Sequence, residues 1–468
     1  MPFRMVRFAF RPAARKAIRA FSAACHQARD LDVLVVTANW AIADGTLVSG
    51  SRRPQTEWLQ AVHRAAIRAG FHRDGRYEPV ERLQIVLAGD TFDWLTTAAW
   101  TARVRPWHRG PQAEAVRGRV MIASARRAGR LLAGLSRWSR YGMPVPRSDR
   151  RGRPLVGGTV QMPVLVTFLV GDRDRWLAAA AGRAARRGMS VATTWGNGQA
   201  FVWHGAEFDP CCCTEEPPEA AVGPGAERPT LAESLAVDLV ARFGAAVRSS
   251  ATLWPACRTL VAELAAARPF EMPAVLEAWL AAAEGDAVRE RQAVVGPWRA
   301  AVAAWRRAAR LVEPACGLEF DSLDALAGWL DAVGEDRGRR SLPPGETLRR
   351  AFDAPAADRL AGTLRDGAAA VVLGHPAADG VGGFAGPRLV CLGAAASLPA
   401  GGGVDPMNRP AVDVACVGPV VSGRGPAHVM VVADNRAIRW EWLSGACRRA
   451  VVAGRVPSAD AQRIVEAA

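Results

Sequence analysis

The chain is 468 residues long, half of them hydrophobic, with a formal charge of +15. That length exceeds one typical domain and can bury a sizeable core; no uninterrupted apolar run approaches the roughly 18 to 20 residues of a helical membrane span, which excludes an integral membrane protein of that kind. The positive balance invites a nucleic acid, an anionic lipid or a phosphorylated small molecule, yet Arg carries almost all of it, with Lys16 the one Lys, a pattern that coding bias in a GC-rich genome also produces.

In chain order, residues 1–29 form a basic segment in which Arg4, Arg7, Arg11, Arg15 and Arg19 accompany Phe3, Phe8, Phe10 and Phe21. It lacks the long apolar core and the clear cleavage site of a secretion signal. Its pattern fits a helix over 13–28 that packs on the domain or rests on an anionic membrane surface. Short runs rich in β-branched residues follow at 33–37, 83–88, 164–170, 201–203, 370–373, 389–392 and 428–433. Nearly continuous apolar runs of this length suit strands buried on both faces. A helix at 57–69 falls between the first two, and such alternation predicts an α/β fold. The Arg-rich stretch RGRVMIASARRAGRLLAGLSRWSR, beginning at Arg117, speaks for nucleic acid, but no nucleic-acid motif accompanies it. The polar run at 147–158 predicts a loop.

Residues 214–367 differ in texture. They open on a linker rich in Pro, Gly and Glu, then turn helical at Thr230, which stands three residues before Glu233 in capping-box spacing. Leu235, Leu239 and Phe243 follow at helical spacing, as do Trp298, Val302, Trp305 and Val312. This segment predicts a helical, cap-like insertion between two parts of a core, 30–213 and 368–468. Arg299, Arg306 and Arg310 form a stripe beside the Trp-bearing face, as a solvated face or as a contact for phosphate or lipid.

The nine Cys show no paired CxxC spacing, which points to a reducing compartment and so to a cytoplasmic location, with or without peripheral membrane contact. Cys211, Cys212 and Cys213 lie close after His204. Three adjacent side chains cannot readily converge on one ion, so the triplet reads as a chance cluster.

Four short motifs end predicted strands: Gly89-Asp90-Thr91-Phe92-Asp93, Gly171-Asp172-Arg173-Asp174, His204-Gly205 and Gly374-His375. Strand ends are where α/β folds place ligands. Asp90, Asp172, His204 and His375 form a donor set for one divalent ion such as Mn, Zn, Fe or Mg, with glycines letting the backbone turn close to it. Each motif alone is weak; four in order after apolar strands are far more specific.

This series resembles the calcineurin-like metallophosphoesterases, whose motifs run DxH, GDxxD, GN(H/R)D, a His followed by Gly, and GHxH. Within them GDTFDWL, GDRDRWL and FVWHGAEFDP are most similar to the UDP-2,3-diacylglucosamine pyrophosphatase group, over roughly residues 30–210 and 368–443. The resemblance implies an αββα sandwich with a helical cap, and two metals about 3.5 to 4 Å apart. It assigns Asp90 as the bridging carboxylate, Asp172 where the family has Asn, and His204 and His375 as further ligands of one ion. Arg173 takes the place of the group that stabilises the transferring phosphoryl, and Asp174 stands beside it as a second catalytic candidate. The other ion's own ligands correspond to Ala38, Trp40 and Ala377, which bind no metal. Asp44 and Asp379 are near in sequence but lack the family's spacing.

Three functions follow. The first is a degenerate metallophosphoesterase without two-metal catalysis that binds a phosphorylated ligand, lipid head group or partner. The second is an active single-metal phosphodiesterase or pyrophosphatase acting on a nucleotide-linked or lipid-linked ester, in which Arg173 carries charge for the missing ion. The third is an Arg-rich nucleic-acid-binding protein.

Overall fold

A computed structural model describes residues 33–48, 53–71, 74–100, 104–196, 200–206, 212, 229–267, 272–282, 292–309, 326–328 and 330–333, and the strand backbone of 370–373, 388–391, 429–434 and 437–442. The N-terminal segment, the linker at 214–228, His375, Ala377, Asp379, Arg310 and Val312 lie outside the described residues.

The chain is mixed α/β. Its strands are β1 (Val33–Thr37), β2 (Leu83–Ala88), β3 (Met143–Ser148), β4 (Pro154–Met162), β5 (Val164–Leu169), β6 (Ser190–Ala192), β7 (Thr194–Gly196), β8 (Ala200–Trp203), β9 (Ala370–Leu373), β10 (Arg388–Cys391), β11 (Val429–Asp434) and β12 (Ala437–Trp442). One sheet has the order β12-β11-β1-β2-β5-β6 and a second β10-β9-β8-β7. β1, β2, β5 and β6 run parallel, as do β8, β9 and β10. The sheets touch where β2 meets β8 and β5 meets β7. All six residues of β2 are buried, as suits a central parallel strand that is apolar but for Gln84, whose side-chain amide donates to Thr167 Oγ1 at 3.3 Å.

Helices cover the larger sheet. Arg53–Ala69 and Gly129–Tyr141 pack on each other, and the second buries Leu131, Leu135 and Trp138 at helical spacing. The Arg-rich stretch is therefore two amphipathic helices, and its first residue, Arg117, is buried with Nη1 donating to the carbonyls of Pro106 and His108 at 2.7 and 2.9 Å. Residues 147–158, expected as a loop, instead belong to the β3–β4 hairpin. Pro144, Pro146 and the Gly157-Gly158 pair obscured the strands. The turn is set by Asp149, whose Oδ1 accepts from the backbone N–H of Arg151 and Arg153 at 2.8 and 2.9 Å.

The described part of 229–333 is helical. Thr230 and Glu233 form the capping box that their spacing predicts, at 3.1 and 2.9 Å. Leu235, Leu239 and Phe243 are buried, but Leu235–Ala241 is wound as a π-helix, a form that concentrates at functional sites. Trp298, Val302 and Trp305 are buried with them in a hydrophobic cluster of the insertion, which Leu47 of the core joins. In return, Ala236 and Val237 pack into the core cluster. Among the described residues no helix is long and apolar enough to cross a membrane.

Candidate metal centre

The centre forms where β2, β5 and β8 end. After β2 the backbone turns through Gly89, at φ +89°, and Asp90, at φ +49°, a left-handed region that side chains other than Gly enter at a cost. Space explains the glycines. A Cβ on Gly89 would overlap the imidazole of His204, and one on Gly171 would overlap the backbone and carboxylate of Asp90. Removing both Cβ atoms lets three strand ends close on one point.

At that point the ligand atoms of Asp90, Asp172 and His204 all lie within 4.8 Å of one another. His204 Nε2 is 2.7 Å from Asp172 Oδ1 and 3.6 Å from Asp90 Oδ1. Its Nδ1 lies 3.0 Å from the carbonyl of Ala88. A carbonyl only accepts, so Nδ1 carries a proton and Nε2 is left for the carboxylates. That outer hydrogen bond is how a metal-binding His is commonly oriented, and a cation at Nε2 would replace a proton there. This buried Asp-Asp-His group could hold a metal ion.

Neighbouring side chains brace the group. Arg173 donates its backbone N–H to Asp90 Oδ1 at 3.0 Å, and its Nη1 lies 3.3 Å from Asp93 Oδ2. Partial burial alone would lower its pKa, but Asp93, Asp90 and Asp172 outweigh that and hold the guanidinium above its ordinary value. Its side chain keeps 22% of its surface exposed, so a ligand can reach it. Asp93 also accepts from the N–H of Leu95 and Thr96 at 3.0 and 2.9 Å, which caps the turn. Asp174 is fully buried, where it accepts from Gly171 N–H at 2.8 Å and Phe92 N–H at 3.1 Å. Burial, and then the charge of Asp90, push its carboxyl up to about 7.

The neighbouring loop after β1 has a different character. Asn39 and Ala41 also adopt positive φ, 56° and 45°, and the loop is laced to the β2 loop through Asn39 N–H to Gly89 O at 3.2 Å and Ala41 N–H to Asp90 O at 2.9 Å. Ala38 is buried and offers no donor. Trp40 gives its indole N–H to Thr37 Oγ1 at 3.0 Å and meets Trp58 edge-on, 5.5 Å between ring centroids. It is partly buried and packs against the apolar core. Asp44 turns to Thr46 and Thr97: its Oδ1 accepts from Thr46 N–H at 2.9 Å, and its Oδ2 from the Thr97 hydroxyl.

Some neighbours of the centre were not legible in the sequence. Cys212 Sγ lies 3.7 Å from Asp172 Oδ2, so one member of the Cys triplet reaches the centre. Arg175 Nε sits 3.0 Å from Glu233 Oε1 of the insertion, out of hydrogen-bonding line and so an ion pair only. Burial raises the pKa of Glu233 and Arg175 opposes the rise, with Asp172 adding to it. Arg105 Nε bonds both oxygens of Asp238, at 2.9 Å each. Partners separated this far along the chain carry no local sequence signal. A concavity among the helices, lined by Val302, Arg306, Arg307 and Asp331, shares no residue with the centre.

Comparison of the chain with protein-family models, with curated proteins and with solved structures gave no match.

Proposed function

We propose that the chain is a degenerate metallophosphoesterase-type sandwich that binds one divalent ion at Asp90, Asp172 and His204 and uses it, with Arg173, to bind a phosphorylated ligand. The convergence of those three ligand atoms from separate strand ends carries this proposal. Two touching sheets with the donors at the ends of β2, β5 and β8 support the fold. The fourth donor expected from sequence, His375, follows two positions after Leu373, the residue that pairs with Trp203 next to His204.

A bound ion would supply positive charge for phosphoryl oxygens. Arg173 adds a guanidinium, whose fork matches phosphate geometry, and Asp93 orients it. Asp174 holds the Gly171 and Phe92 amides, so it fixes both acidic loops rather than reaching substrate. Two-metal catalysis is disfavoured by the β1 loop. Ala38 lacks a donor, Trp40 is packed against Trp58 and Asp44 is engaged with Thr46 and Thr97. The exposed portion of Arg173 favours a second activity, single-metal hydrolysis of a phosphodiester or pyrophosphate.

Elemental analysis after Mn loading should find about one metal per chain in the wild type and none in His204→Ala. An unchanged metal content in the mutant would sink the proposed centre. Turnover of an activated phosphodiester that saturates and tracks Mn occupancy would replace ligand binding by single-metal hydrolysis.

A further inference from the structure

We infer that the β3–β4 hairpin is a docking surface for an anionic lipid bilayer, with β4 seated at the level of the head groups and the arginines around its turn meeting lipid phosphates. The inference does not depend on the ion. Five of the six large hydrophobic side chains exposed among the described residues fall between Tyr141 and Leu165. Apolar side chains scattered singly over a surface are ordinary, whereas several on one element mark a contact. Three are on β4: Leu155, Val160 and Val156, the last with 92% of its surface exposed. The backbone accounts for this. Among the described residues β4 pairs with β3 alone, and between the pairs Pro146↔Thr159 and Ser148↔Pro154 it carries the longer stretch, so 155–158 bow out of the ladder.

Charge selects the occupant. From Met143 to Met162 the chain has Arg at 147, 150, 151 and 153 and a single acid, Asp149. Asp149 is committed to the turn: it accepts from the N–H of Arg151 and Arg153 and, at 3.0 Å, from Arg153 Nε. Arg147, Arg150 and Arg151 are exposed. The helix Gly129–Tyr141, which leads into β3, adds exposed Arg137 and Arg140 and has no acid. Aliphatic side chains beside surplus Arg suit an anionic bilayer, because the first enter the boundary between head groups and acyl chains while the second attract its negative surface. Nucleic acid would use the arginines, but it is read and stacked upon by polar and aromatic groups rather than by protruding Val and Leu. A second copy would bring its own surplus of Arg to a hairpin whose one acid is already engaged. The outer edge of β4 also limits the depth of entry, since hydrocarbon cannot satisfy backbone N–H and C=O groups. β4 leads into β5 at Val164, and Asp172 follows the far end of that strand, about 20 Å along it. The docking face and the metal centre therefore belong to opposite ends of β5.

Flotation of the full chain with vesicles tests this. Vesicles of equal parts phosphatidylglycerol and phosphatidylcholine should carry the protein, phosphatidylcholine alone should not, and high salt should release it. Val156→Asp should weaken binding to the anionic vesicles by more than about 10-fold, because it replaces an inserted apolar side chain with a charge. Arg150→Gln combined with Arg151→Gln should weaken it by about 5-fold for each charge removed. All three positions are exposed, so urea midpoints and Mn content should stay at the wild-type values. Wild-type affinity in both variants would overturn the hairpin and place the lipid contact elsewhere on the chain. No binding of the wild type to anionic vesicles would overturn docking outright. A wild-type dimer that ignores vesicles and is dissolved by Val156→Asp would assign β4 to a second copy instead. Duplex DNA binding without vesicle binding, weakened by the Arg substitutions, would assign the hairpin to nucleic acid.

Discussion

Two groupings of buried Asp, Glu and Arg serve this molecule differently. Along the seam between the core and the insertion, each carboxylate is met by at least one guanidinium: Arg105 and Arg242 with Asp238, and Arg175 with Glu233. At the strand ends, Asp90, Asp93 and Asp172 share Arg173 and His204, and Asp174, held by the Gly171 and Phe92 amides, adds a further carboxyl beside them. Matched charges fasten two surfaces together, because either partner left alone would be a buried, unpaired ion. A surplus of carboxylate instead leaves room for a cation. The same residue types therefore read as scaffold in one place and as a binding site in the other, and the balance of charge separates them.

The largest test breaks the seam. Asp238→Ala removes the carboxylate that Arg105, mostly buried, bonds through both oxygens, and should cost about 3–5 kcal/mol in urea unfolding; a loss below about 1 kcal/mol, the value of a surface pair, would make the seam dispensable. The strand-end surplus should next appear as pH dependence. The Asp174 carboxyl is raised to about 7 from an ordinary value near 3.8, so the folded state binds its proton more tightly than the unfolded chain does. Its contribution to stability is complete below about pH 4 and is lost as the pH rises through about 7. Unfolding midpoints of the metal-free protein across that window should fall from this group, and Asp174→Asn should remove the slope. A slope unchanged in the variant would locate the titration elsewhere.

Asp90→Asn removes one of the surplus charges. Without metal its stability should match or exceed the wild type, while the increase of about 2.7 kcal/mol expected at a hundredfold excess of Mn over the dissociation constant should vanish. Thermal shifts with and without Mn measure both. The smallest effect is Thr230→Ala, which frees Glu233 from its capping box and should cost about 1 kcal/mol. If Arg175 alone fixes Glu233, urea unfolding will show almost no change.

Much of the core was written in the sequence. The largely apolar runs at 33–37, 83–88 and 370–373 coincide with β1, β2 and β9, since a central parallel strand such as β2 is buried on both faces and so is apolar at most positions. Glycine before acid at strand ends marked Asp90 and Asp172, and the Thr230 to Glu233 spacing marked the start of a helix. The hairpin at 143–162 was missed because Pro and Gly weaken the strand signal, although Asp149 and the cross-strand pairing sustain it.

The sequence by itself determined which residues can donate to an ion and that each follows an apolar strand, because donor chemistry and burial periodicity are local properties. Only the tertiary structure decided which donors meet. It brought Asp90, Asp172 and His204 within one ion's reach, set Cys212 against Asp172, turned Asp44 to Thr46 and Thr97 and packed Trp40 on Trp58. Those outcomes depend on strand order and on the close approach that Gly89 and Gly171 permit, and convergence in space leaves no periodic trace along the chain.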